Sequence, residues 1–222
     1  MSSKTCFLCV VIYLSTAAAL QTVNGKIKIS VVTTSGCGDT VNFITTKLVP
    51  VYNEFKEHLE VEFIPWGKTQ RNQNGDLVCQ FGVNDCWANR SHRCALNLLK
   101  GNQDAQVNYM NCEFSSPYPS YMQGSYQCAQ SLGLNLVEVD YCVNASGTPL
   151  DLASEAAAAE AMDAMKFVPA IFFNNQVDVE EHRLGFNQLR AYISPWPPNG
   201  LQTITLTALS ALCTTKARGS MI

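Results

Sequence analysis

The chain has 222 residues, a formal net charge of −3 and only 15% charged residues. That length suits one domain, or one domain with a large insertion. The mild acidity argues against nucleic-acid binding, which needs a basic patch, and the ten cysteines make redox chemistry the first question.

Residues 1–19 read as a secretory signal peptide: Lys4 supplies a positive start, 6–14 an apolar run, and Ala17-Ala18-Ala19 a small-residue cleavage site. The apolar run is shorter than the ~20 residues of a membrane span. No later stretch is apolar enough to cross a bilayer; threonines and a serine interrupt 201–212. Removing the signal takes Cys6 and Cys9 and leaves eight cysteines: Cys37, Cys79, Cys86, Cys94, Cys112, Cys128, Cys142 and Cys213. In an oxidising compartment most of these pair. Asn89-Arg90-Ser91 and Asn144-Ala145-Ser146 are glycosylation sequons that agree with the secretory route, with Asn89 and Asn144 as acceptors.

Residues 26–78 read as strand, helix, strand. Ile27, Ile29, Val31 and Val32 form a β-branched run that favours a strand. Ser35-Gly36-Cys37-Gly38 lets the backbone turn. From Thr40 onward, Val41, Ile44, Leu48, Val51, Phe55 and Leu59 recur at helical spacing. Pro50 predicts a kink or break in that helix. A second strand follows at 61–65, then a loop over 66–75.

Six of the eight mature cysteines fall between Cys79 and Cys142. Residues 79–147 therefore read as a helical insertion stapled by disulfides, with helices at 86–99 and 121–132. Residues 148–193 resume with a helix at 152–166, a strand at 167–175 and an Asn-Asn turn into a second strand at 177–179. A last helix spans 184–193, and the proline-broken tail occupies 194–222.

Cys79-Gln80-Phe81-Gly82-Val83-Asn84-Asp85-Cys86-Trp87-Ala88-Asn89, followed after four residues by Cys94, resembles the signature of the gamma-interferon-inducible lysosomal thiol reductase (GILT) family. That signature reads Cys-Gln-His-Gly-x-x-Glu-Cys-x-x-Asn-x4-Cys. Phe81 stands where it has His, and Asp85 where it has Glu. Cys128-Ala129, Leu132-Gly133-Leu134-Asn135, Cys142 and Val168-Pro169 extend the likeness across residues 26–193. The resemblance implies an α/β, thioredoxin-like fold with a disulfide-stapled helical insertion, delivery to a lysosome or the cell exterior, and no metal or other cofactor. It also implies a cis peptide at Pro169, opposite the active-site cysteine.

Such reductases resemble thioredoxins in using a Cys-x-x-Cys centre, whose first thiolate attacks a substrate disulfide and whose second cysteine releases it. Here the centre reads Cys37-Gly38-Asp39-Thr40, and the resolving cysteine is missing. A helix N-terminus and a hydrogen bond from the Thr40 hydroxyl would favour a Cys37 thiolate, while Asp39 opposes it. If Cys79, Cys86, Cys94, Cys112, Cys128 and Cys142 make three structural bridges, Cys37 and Cys213 remain. Cys213 is then free, joined to a second chain in a homodimer, bonded to Cys37, or removed with the tail. His58, His92 and His182 show no constellation with Cys37 and are expected at the surface or as caps. Two functions stay open: a binding module with weak or lost reductase activity that engages an extracellular or cell-surface partner, and a monothiol reductase or isomerase that acts on protein substrates with an outside thiol.

Overall fold

The β-branched run near the start of the chain becomes the centre of the sheet. In a computed structural model of the protein, residues 23–194 are described; the segment 1–19 expected as a signal peptide, Cys213 and the tail beyond 194 lie outside them. Strand β1 (Ile27–Thr33) pairs in parallel with β2 (Leu59–Pro65), Ile27 facing Leu59 and Thr33 facing Pro65. On its other side it pairs antiparallel with β5 (Ala170–Phe173). The order is β2-β1-β5. Two short strands, β3 (Gln70–Arg71) and β4 (Leu77–Val78), form a separate hairpin inside the segment expected as loop.

Side chains alternate across a strand, so the sheet builds a core on each face. Ile27, Ile29, Val31, Leu59, Val61, Phe63, Ile171 and Phe173 belong to the larger cluster. Val32, Ile64, Ala170 and Phe172 belong to the other, with Trp66, Ala158 and Ala161. The fold is a mixed α/β arrangement with helices against both faces of a small sheet.

The first helical run starts at α1 (Gly38–Phe43), passes through a π-helical turn at Ile44–Leu48 and continues as α2 (Val49–Phe55). The expected break at Pro50 takes this form. The proline falls in the first turn of α2, where its missing N–H costs least, and the wider turn before it absorbs the mismatch.

Helix α3 (Val83–Leu98) spans the signature and buries a polar face that includes Asp85, Asn89, Ser91, His92 and Arg93. Helix α4 (Gln103–Glu113), capped by the Asn102 side chain, had no place in the sequence reading. The Gln103 side chain accepts from the Val61 N–H and donates to the Val61 carbonyl, both at 2.9 Å, so it covers part of the β2 edge as a neighbouring strand would. The single helix expected over 121–132 is two, α5 (Pro119–Gln123) and α6 (Gln127–Ser131), separated at Gly124, whose φ is 58°. Helix α7 (Leu136–Tyr141) runs into a second π-helical turn at Cys142–Ser146.

Three disulfides lock this helical segment: Cys79–Cys86, Cys94–Cys142 and Cys112–Cys128. Helix α8 (Thr148–Met165) lays its small alanines Ala158 and Ala161 against the sheet. The expected hairpin after β5 shrinks to a single bridge between Phe173 and Gln176, turned by Asn174 and Asn175 in left-handed backbone. No second strand follows because Asp178 caps α9 (Val179–Ile193), accepting the Glu181 N–H at 2.8 Å.

Helix α9 holds β5 through His182, whose Nδ1 accepts the Ile171 N–H at 3.2 Å. Burial pushes this imidazole below its usual value of 6.5. The stability carried by neutral His182 is therefore complete above about pH 6.5 and is lost as the pH falls towards the depressed folded value. Between about pH 7 and pH 5 the denaturation midpoint is expected to fall, and His182→Gln, which can still accept from Ile171, should reduce that fall. Equal slopes in the two proteins would refute the assignment.

Candidate active site

Cys37 occupies the cap position of α1 in extended backbone, φ −91° and ψ 117°. Its carbonyl accepts the Val41 N–H at 3.0 Å, which starts the helix. The side chain is 7% exposed and makes no disulfide among the described residues. Its Sγ lies 3.6 Å from the Val168 carbonyl oxygen, to which the thiol donates. The next peptide, Val168–Pro169, is cis. Cys37 and Val168, 131 positions apart in the chain, thus meet at the end of the sheet, where β1 runs into α1 and the loop after α8, with Pro169, enters β5.

The turn that delivers Cys37 is held by α3. Asp85 is 0% exposed and accepts from the Thr34 hydroxyl with both oxygens, at 2.9 and 2.8 Å. It also accepts from the Gly36 N–H at 3.1 Å and the Phe81 N–H at 3.4 Å. Asn89, one helical turn on, is equally buried. Its amide donates to Asp85 at 3.1 Å and to Thr34 at 3.2 Å, and its oxygen accepts from the Ser35 N–H at 3.0 Å and the Ser35 hydroxyl at 2.6 Å. The four-residue spacing puts both groups on one helix face. The signature thus reaches back about fifty residues to the turn before Cys37.

Above that turn sits the loop closed by Cys79–Cys86. A methyl group built on Gly36 would stand 2.6 Å from the Phe81 Cβ and Cγ atoms, so only glycine fits beneath the ring. Gly36→Ala is expected to cost roughly 1–3 kcal/mol, the usual range for overpacking. The double variant Gly36→Ala/Phe81→Gly, which removes the Phe81 Cβ together with the ring, should cost less than the two single changes added together. Thermal melts of the four proteins measure the coupling; additive losses would mean the two residues do not oppose each other.

Cys37, Asp39, Lys68, Phe81, Phe167 and Val168 line an open cleft of about 350 Å3. Phe167 is held from behind by the rings of His182 and Phe186, at 5.9 and 5.2 Å between centroids. Two larger clefts, of about 450 and 590 Å3, lie beside Arg71 and Arg90 and along β2, and neither contains a free thiol.

Several expectations are corrected here. The Thr40 hydroxyl does not donate to Cys37; Thr40 is fully buried and its Oγ1 makes no hydrogen bond among the described residues. The Cys37 thiol turns instead to the Val168 carbonyl. Asn89 cannot carry a glycan in this fold, since its amide is buried and used in hydrogen bonds. Asn144 remains exposed, with its amide 2.8 Å from Asp140. His92 and His182 are not at the surface. His92 is buried 3.5 Å from Glu113 and edge-on to Tyr109 and Phe114. Asp39 is exposed on the cleft rim, where solvent screens its charge. The expectation of structural disulfides holds: Cys79, Cys86 and Cys94 are bonded in them. The positioning roles of Asp85 and Asn89 escaped the sequence reading, although their four-residue spacing at the start of a helix carried the signal.

Comparison with known proteins meets this geometry. Residues 28–132, which hold both the Cys37 turn and the signature, match the family model for gamma interferon inducible lysosomal thiol reductase (GILT). GILT-like protein 1 of Drosophila melanogaster is 27% identical over 238 residues, covering 96% of this chain and 94% of that protein. A gamma-interferon-inducible lysosomal thiol reductase-like protein of Anopheles gambiae is 27% identical over 208 residues, covering 84% and 86%. The chain is a divergent member of the GILT family. Among the described residues no helix is long and apolar enough to cross a membrane.

Proposed function

We propose that this protein takes hold of cysteine-bearing polypeptides by thiol–disulfide exchange at Cys37, and that ordinary dithiol reductase turnover is weak or lost. The observation that carries this is the pairing of a free thiol facing Val168 and the cis Pro169 peptide with a buried Thr40 three residues on. The Cys37 thiolate attacks one sulfur of a substrate disulfide. A Cys37–substrate disulfide forms and the other substrate sulfur leaves as a thiolate. No neighbouring thiol at position 40 can displace the bound sulfur. Release requires an outside thiol, which takes the substrate sulfur into its own disulfide and returns Cys37 as thiolate.

The same chemistry gives the second reading, a monothiol reductase or isomerase, wherever outside thiol is abundant. A thioredoxin-like arrangement supports both: strand, helix, strand over 26–78, a helical insertion over 79–147, and helix, strand, helix over 148–193. The reading extends to a secreted or lysosomal location. Three disulfides and the exposed Asn144 sequon support it. The partner is an extracellular or cell-surface protein; a homodimer through Cys213 is an added arrangement, and that residue lies outside the described ones.

The test is capture. Wild type and Cys37→Ser are incubated with a disulfide-bonded peptide without added thiol, then read by intact mass. A peptide adduct on wild type alone, released by glutathione, supports the reading. Absence of any adduct, or an adduct that survives in Cys37→Ser, refutes it.

A further inference from the structure

We propose that Asp85 is the positioning residue of this site, fixing at once the turn that presents Cys37 and the loop that covers it. The inference rests on reading Cys37 as the exchanging thiol. Asp85 does not touch Cys37. It acts through Gly36, whose N–H it accepts at 3.1 Å and whose face lies under Phe81. The same carboxylate binds the Thr34 hydroxyl in the turn before Cys37 and the Phe81 N–H in the covering loop.

Asp85 makes no ion pair among the described residues; neutral donors alone meet its charge. Burying a carboxylate in this way is a costly means of holding a fold together. The docking of α3 does not need it. Cys94 is tied to Cys142, Arg90 and Arg93 bind Asp151, and Arg93 also donates to the Pro65 carbonyl. What the carboxylate adds is geometry: donors from residues 34, 36, 81 and 89 converge on two oxygens, so none can move alone. Asn89 completes the set by holding Ser35. The Cys79–Cys86 loop and the Cys37 turn therefore form one rigid jaw hinged on Asp85, and the substrate must enter between Phe81 and Val168.

The test separates positioning from simple support. Asp85→Asn keeps the size but turns an acceptor into a donor facing the Gly36 N–H or the Thr34 hydroxyl. Adduct formation with a peptide disulfide is expected to slow about ten-fold, the scale of a small misplacement at a reacting group. Alkylation of Cys37 by iodoacetamide, which needs access but no register, should not slow. Hydrogen exchange of the Ser35 and Gly36 amides should accelerate, and Asp85→Glu, which keeps two acceptor oxygens, should restore most of the peptide rate. Unchanged peptide rate and amide protection in Asp85→Asn would overturn the proposal, as would equal slowing of both reactions in step with a lowered melting temperature. If the wild type itself forms no peptide adduct, the reading of Cys37 fails. The amide exchange and alkylation of Asp85→Asn then still decide whether Asp85 orders the turn.

Discussion

Thr40→Cys should turn a protein that holds its substrate into one that turns over. In an insulin-reduction assay with a thiol donor it is expected to run roughly ten- to a hundred-fold faster than wild type, because an intramolecular thiol replaces a bimolecular release step. The site accepts the change easily. Thr40 is buried in the first turn of α1, and its hydroxyl makes no hydrogen bond among the described residues, so its loss strands no partner. The new thiol would attack the Cys37 sulfur of the mixed disulfide, close a bridge between positions 37 and 40 and free the substrate as thiolate. The outside thiol then reduces that bridge. Adducts that accumulate on wild type should become scarce. If Thr40→Cys is no faster than wild type, the cleft under Phe81 and not the missing thiol limits the protein, and the proposed function must change.

The largest expected loss of stability belongs to Asp151→Ala. Asp151 is fully buried near the start of α8 and binds two cations. Arg93 meets it at 2.6 Å with its own side chain 2% exposed, and Arg90 meets the other oxygen. Burial pushes the Arg93 guanidinium down to about 10, while the charge and hydrogen bond of Asp151 oppose that shift. Removing the carboxylate leaves Arg93 charged and buried with, among the described residues, only the Pro65 carbonyl as acceptor. Breaking a buried pair on one side costs about 3–5 kcal/mol, which for a protein of this size lowers the melting temperature by roughly 6–20 °C. Exposed pairs set the contrast: Arg190–Glu54 and Arg183–Glu180 lie in solvent, and alanine there should cost under about 1 kcal/mol. An Asp151→Ala protein that melts within a degree or two of wild type would refute the network's role.

How much of this was legible depended on whether the signal was local. The β-branched run at Ile27 and the Gly-Cys-Gly turn predicted a strand running into a helix with Cys37 between them, and β1 and α1 lie there. Helix α4 was not legible, because its buried face mixes Val107 and Met110 with Tyr109 and Glu113 and shows no clean apolar stripe. Only Asn102, which caps it, marked its start. In α3 the difficulty was reversed. Its apolar residues suggested a core face through Leu98, which is 37% exposed, while the true inner face carries Asp85, Asn89, His92 and Arg93. Polar residues can face inward there because partners far along the chain satisfy them. Asn89 shows the cost of reading three residues at a time: Asn-Arg-Ser spells a glycan acceptor, yet Thr34 and Ser35 already occupy that amide. The strand expected at Val177 failed for a related reason, since Asp178 has the chemistry of a turn and of a helix cap alike.

The three disulfides differ in the length of chain that each one closes. Each joins a buried cysteine to a partly exposed one, Cys79 to Cys86, Cys94 to Cys142 and Cys128 to Cys112, but the Cys79–Cys86 bridge closes a separation of only 7 residues. Cys94–Cys142 spans 48 and on loop-closure grounds contributes about 4 kcal/mol, against about 2 kcal/mol for the short one. Cutting Cys79–Cys86 therefore gives up the least loop-closure stability, and it loosens the loop that carries Phe81 while the two bridges between helices stay closed. Rising reductant should first loosen the roof over the nucleophile and only later dismantle the scaffold, so the protein's chemistry and its integrity respond to different ranges of the same reagent.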